Sequence, residues 1–183
     1  PGRECGLWMT KDEVPEGGLQ TGTEFVKVWT VSNYEPDGLI ASTYQLGPAV
    51  SFDGYLYWGT MHVPVTQPML EFMTANSGDL KPAYLLEAIR KTDRLTTLFR
   101  GKNFSSGNPE IELLYGEETL PQYQSEGQWK DVPNNMNATP LYGKSGFGNN
   151  QNYYTWSMTV FKNQLFVGTH DRNWFSRLFG RSV

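Results

Sequence analysis

Val50-Ser-Phe-Asp-Gly-Tyr-Leu-Tyr-Trp-Gly-Thr60 and Thr159-Val-Phe-Lys-Asn-Gln-Leu-Phe-Val-Gly-Thr169 align without a gap, and Phe, Leu, Gly and Thr are identical at equivalent places. Each has the form of strand, two-residue turn, strand. Asp53-Gly54 is a strong primed-turn pair, because both central residues of such a turn take positive φ. Lys162-Asn163 is a weaker version in which Asn tolerates that conformation. Two repeated hairpins predict a sheet protein built from recurring units, and the distance between them leaves room for further strands.

Outward from these hairpins, Phe25-Val-Lys-Val-Trp-Thr-Val31 alternates as a half-buried strand does, and Gly38 to Tyr44 is expected to lead into the first copy as another. Arg94-Leu-Thr-Thr-Leu-Phe-Arg100 and Glu110-Ile-Glu-Leu-Leu-Tyr115 flank the turn-forming stretch Gly101 to Pro109 and predict a more divergent hairpin. One segment breaks the pattern. Pro82-Ala-Tyr-Leu-Leu-Glu-Ala-Ile-Arg-Lys91 is rich in helix formers, so a single short helix is predicted near 82–91, inside an insertion at about 77–92, with Ser77 or Asp79 as caps. From Pro121 to Asn152 the chain is rich in Gly, Asn and Pro, which predicts a long ordered loop at about 121–152, or one with fragmentary strands. Tyr142, Phe147, Tyr153 and Tyr154 argue against disorder there.

Composition agrees with a β-rich chain. Among 183 residues there are 19 Gly, 11 Pro, 10 Tyr, 10 Phe and 6 Trp, and only 19% are charged; aromatics suit pleated surfaces and Gly and Pro suit tight corners. The net charge of −4 comes without a basic stripe, so nucleic acid is not an expected partner. The single cysteine, Cys5, rules out a disulfide within the chain and any thiolate metal cluster. No apolar run reaches the ~18 residues of a membrane-spanning helix, so no transmembrane segment is expected.

At the two hairpins the sequence resembles bacterial extracellular β-propeller-like repeat proteins, whose blades carry a recurring Val-Phe, turn, Leu-Tyr-Val-Gly-Thr signature. Thr159 to Thr169 matches it well; the first copy departs from it with Ser51 and Trp58. The resemblance implies an all-β, propeller-like repeat module over 1–183, in which Gly-Thr ends a strand at a loop. A chain of this length holds only about 2–3.5 blades, fewer than a ring usually needs, so an incomplete ring is expected. A protein subunit or self-association would then complete the array. The resemblance also implies an extracellular, periplasmic or cell-envelope location, and supplies no reaction.

The residues that carry chemistry are sparse. His62 and His170 both fall just after the repeated Gly-Thr, so equivalent blades would present both imidazoles on one rim. With Asp171, or Glu35, they are the candidate metal ligands, for Ca²⁺ or another divalent cation, although no ligand motif is present and the default expectation is no cofactor. The acidic groups Asp12-Glu13, Glu35-Pro-Asp37, Glu110-Ile-Glu112 and Glu117-Glu118 are read as solvated surface, with paired-carboxylate glycoside hydrolysis as the rival. Gly143-Lys-Ser145 lacks the glycine spacing of a phosphate loop, and no serine stands in a nucleophile elbow. Most of the six tryptophans are expected in the core; any that are exposed offer a flat face to a protein or a glycan. The terminal cluster Trp174, Phe175, Leu178 and Phe179 is the candidate partner-binding surface. A structural or interaction module is therefore the expected function, with a carbohydrate-binding, carbohydrate-active or metal-dependent protein as the alternative.

Overall fold

The computed structural model describes residues 4–19, 21, 24–62, 67–78 and 81–171, and these are predominantly β. Both copies of the repeated hairpin form. The first is β3 (Tyr44–Phe52) with β4 (Tyr55–His62), and the second is β10 (Asn152–Phe161) with β11 (Gln164–Asp171). Their turns take the conformation read from the sequence, with φ of 48° at Asp53 and 75° at Gly54, and 47° at Lys162 and 58° at Asn163. The likeness continues past the turn. Pairing slips between Leu46 and Ala49 in the first hairpin and between Thr155 and Ser157 in the second, so both carry a bulge opposite the repeated glycine.

The more divergent hairpin expected over Arg94–Tyr115 also forms, but it does not stand apart as a separate unit. β5 (Leu98–Lys102) and β6 (Glu110–Gly116) instead extend the first hairpin, so that β3, β4, β5 and β6 form a four-stranded antiparallel meander in chain order. Beyond the end of β5, β10 joins the same edge of β4 through Tyr154 opposite Met61, and β9 (Gly143–Lys144) lies parallel on β6. These seven strands make one curled, half-barrel sheet. Close approach of β10 requires the repeated glycine, since a Cβ on Gly59 would overlap the Thr155 side chain.

β1 (Gly6–Thr10) and β2 (Phe25–Thr30) form a separate antiparallel pair. Its register repeats that of β5 and β6 step for step. Leu7 opposite Trp29 is followed, after a bulge, by Trp8 opposite Lys27, Met9 opposite Val26 and Thr10 opposite Phe25. Leu98 opposite Tyr115 is likewise followed by Phe99 opposite Leu113, Arg100 opposite Glu112 and Gly101 opposite Ile111.

Both faces of the meander are covered. On one, Trp58 stacks on Phe99 at 5.7 Å and meets Trp29 of β2 edge-on at 5.5 Å, with Leu7, Leu113 and Tyr34 completing the cluster. On the other, Tyr57, Leu98 and Leu114 pack against Met158 and Leu165 of the second hairpin. Burial on two sides explains why β4 reads as a nearly continuous apolar run.

Several expectations need correction. Gly38–Ala41 is a helical turn, α1, because the Asp37 carboxylate accepts from Leu39 N at 3.0 Å and Ile40 N at 3.1 Å and caps it. The helix expected near 82–91 forms as α3 (Leu85–Thr92), with Tyr84 rather than Ser77 at its cap position, but a second, unexpected helix, α2 (Gln67–Ala75), precedes the insertion. The long segment contains a hairpin, β7 (Thr119–Tyr123) with β8 (Trp129–Pro133), held to α2 by Phe72, which meets Tyr123 at 4.8 Å and Trp129 at 5.1 Å. Among the described tryptophans, Trp29 and Trp58 are buried and Trp129 is half-buried, but Trp8 and Trp156 stand in solvent. No helix among the described residues is long and apolar enough to cross a membrane.

Candidate functional site

The two histidines do not share a rim. In the hairpin register His170 is equivalent to Met61, and His62 to Asp171, a shift of one residue. Since successive side chains of a strand point to opposite faces, the shift separates the imidazoles. His62 is fully buried, with Nε2 2.8 Å from Thr43 Oγ1. That hydroxyl already donates its proton to Ile40 O at 2.7 Å, so the network assigns the imidazole proton to Nε2. Nδ1 has no partner among the described residues, and burial, followed by the nearby Arg94 charge, lowers the pKa from 6.5 to about 3. His62 is thus a neutral core residue. His170 is exposed on β11, 5.7 Å from the Tyr154 ring and 6.0 Å from Trp156. Asp171 accepts from Asn149 Nδ2 at 3.0 Å. Among the described residues no three His, Cys, Asp or Glu side chains converge as a metal site would require.

The carboxylates divide differently from the sequence reading. Glu110 and Glu112 sit on the solvated edge expected of them, paired with Lys102 at 3.2 Å and with Arg100. Glu35 and Asp37 are buried, contrary to expectation. The Glu35 side chain has no exposure, and both of its oxygens take Arg94, Oε2 from Nε at 2.7 Å and Oε1 from Nη2 at 3.0 Å. Arg94 also donates through Nη1 to Lys91 O and Asp93 O and through Nη2 to Pro121 O. All five of its N–H groups are therefore used. The pair clamps the α3–β5 junction to the entry of α1 and to β7, and Arg94 lines a cavity of about 320 Å³ together with Tyr34, Tyr44, Glu117 and Ser145. Tyr44 Oη donates to Glu35, Tyr34 Oη accepts from Glu117 N, and Ser145 donates to Glu117, so these polar groups hold one another. Burial pushes the Cys5 thiol up to about 11, which leaves no thiolate nucleophile at neutral pH.

The second hairpin differs most from a finished core. Trp156 is 68% exposed, Phe161 58% and Phe166 48%, and β11 has a strand neighbour on one side only among the described residues. Its equivalent in the meander shows what the repeated Gly-Thr does. Thr60 N donates to Thr97 O at 3.0 Å and Thr60 Oγ1 accepts from Thr97 N at 2.9 Å, so this threonine clips the start of the third strand onto the second. A polar knot continues from there. Thr155 donates to Thr96 Oγ1 at 2.7 Å, and Thr96 Oγ1 donates to Thr60 O at 2.6 Å. Thr60 is wholly buried, whereas its counterpart Thr169 is exposed. An apolar face, an open strand edge and an unused threonine clip thus coincide on β10–β11. Sequence reasoning missed this surface because the aromatics on the free hairpin and on the packed one look alike in the chain. Trp174, Phe175, Leu178 and Phe179 lie outside the described residues. No family model, no curated protein and no solved structure matches this chain.

Proposed function

We propose that the chain is a propeller-like structural module whose role is to hold a protein partner on the β10–β11 hairpin, outside the cytoplasm or in the cell envelope. In this reading the β3–β6 meander is one whole blade, β1–β2 is the outer half of the blade before it and β10–β11 the inner half of the blade after it. Four-stranded sheets packed face to face are the unit of propellers. The observation that carries the proposal is the edge of β11 that no strand covers among the described residues, beside Trp156, Phe161 and Phe166. A strand added to that edge would satisfy its backbone groups, and the aromatic side chains would supply the apolar anchor that interfaces use.

Hydrogen exchange on the protein isolated from its source tests this. Amides of β11 that point away from β10 should be protected, and acrylamide should quench Trp156 poorly. Fast exchange along the whole outer edge of β11 would overturn the proposal.

A further inference from the structure

We infer that the partner is a second copy of this chain, whose β1–β2 hairpin adds to β11 and completes the four-stranded sheet that β10–β11 begins. This rests on the interaction reading above and names its occupant. The β3–β6 meander is the template. Its inner pair recurs as β10–β11 and its outer pair as β1–β2, each with the bulge at the same pairing step. The extra inner and extra outer pairs lie in separate sheets of one molecule, and β1, like β11, has a strand on one side only among the described residues.

The template fixes the register. Leu56, Tyr57, Trp58 and Gly59 stand opposite Gly101, Arg100, Phe99 and Leu98. Carried over through the two repeats, Leu165, Phe166, Val167 and Gly168 stand opposite Thr10, Met9, Trp8 and Leu7 of the second copy. Burial agrees with this. Phe99 is fully buried in the finished sheet, while Trp8, at the same step of the unfinished one, is 61% exposed. Faces agree as well. Leu7 already packs against its own meander, so Trp8, on the opposite side of β1, is left for the neighbour's. The contact joins two different surfaces, β11 of one copy and β1 of the next, which is a head-to-tail arrangement able to close into a ring. Each copy then contributes two sheets, and rings of about four to eight blades correspond to about two to four copies.

The test uses the full chain in a Cys5→Ser background. Sedimentation at micromolar concentration should give a particle of about two to four times 20.8 kDa. Trp8→Cys protein mixed with Val167→Cys protein should form a disulfide-linked dimer, roughly tenfold more than Trp8→Cys mixed with Lys162→Cys, because a bridge needs closely opposed Cβ atoms. A multimer with no preferential linkage overturns the docking through β1. A particle from the native source that holds one copy of this chain bound to a different protein, with its β11 amides protected, overturns the second copy as occupant and leaves the interaction reading standing. A single-chain particle whose β11 amides exchange freely overturns both.

Discussion

Replacing Arg94 by methionine is the sharpest probe of what holds this fold together. The substitution keeps most of the side-chain volume and removes the guanidinium. Glu35, with no side-chain exposure, then keeps only the Tyr44 hydroxyl at 3.2 Å and the Asp37 amide at 3.1 Å. The carbonyls of Lys91, Asp93 and Pro121 lose their donor in the same step. Removing one partner of a buried ion pair costs about 3–5 kcal/mol, because the survivor is left charged in a low-dielectric site. With a urea m-value of about 2 kcal/mol/M, a loss of about 4 kcal/mol lowers the unfolding midpoint by about 2 M. Equilibrium urea unfolding followed by tryptophan fluorescence reads this directly. Lys91→Ala is the control: its pair with Asp131 spans 3.4 Å with side chains 34% and 62% exposed, and its removal should cost less than about 1 kcal/mol. An Arg94→Met protein within about 1 kcal/mol of the parent would refute the claim that this pair is the main polar clamp.

Three further outcomes are expected. His62 holds a proton less readily folded than unfolded, so the parent should lose stability as pH falls below about 6.5 toward 3, by up to about 1.4 kcal/mol per pH unit. His62→Leu should flatten that slope in unfolding curves taken across the range. Gly59→Ala should destabilise by about 1–3 kcal/mol through overlap with Thr155, and the Thr155→Gly change should cost less in that background than alone, as a double-mutant cycle will measure. Trp58→Ala empties the centre of the meander's inner cluster, where it meets Trp29, Phe99 and Phe104, and should cost about 3–5 kcal/mol in the same unfolding assay.

The hairpins were legible because their information is local. Asp53-Gly54 and Lys162-Asn163 set the turns, and the alternation beside them sets the strands. The approach to β3 was harder, since Gly38–Ala41 is apolar enough for a strand and only the Asp37 cap, a contact across two or three residues, turns it into a helix. The second helix, Gln67–Ala75, went unread because its stability comes from Phe72 seated between Tyr123 and Trp129. Tertiary contacts of that kind outweigh propensity in a short segment.

The candidate site shows the same division. Repetition of Gly-Thr marked the right place in the chain, but an ungapped alignment also set His62 beside His170, and a one-residue offset in a structure of period two moved them to opposite faces. Burial of Glu35 needed Arg94, far away in sequence, to come alongside it. By itself the sequence determined the strands of the repeated hairpins, where their two turns lie and that a unit recurs, because these depend on near neighbours and on side-chain period. Only the tertiary structure decided that the four-stranded meander is buried on both faces while, among the described residues, the second copy of the hairpin keeps an open edge, because exposure depends on what else reaches a surface.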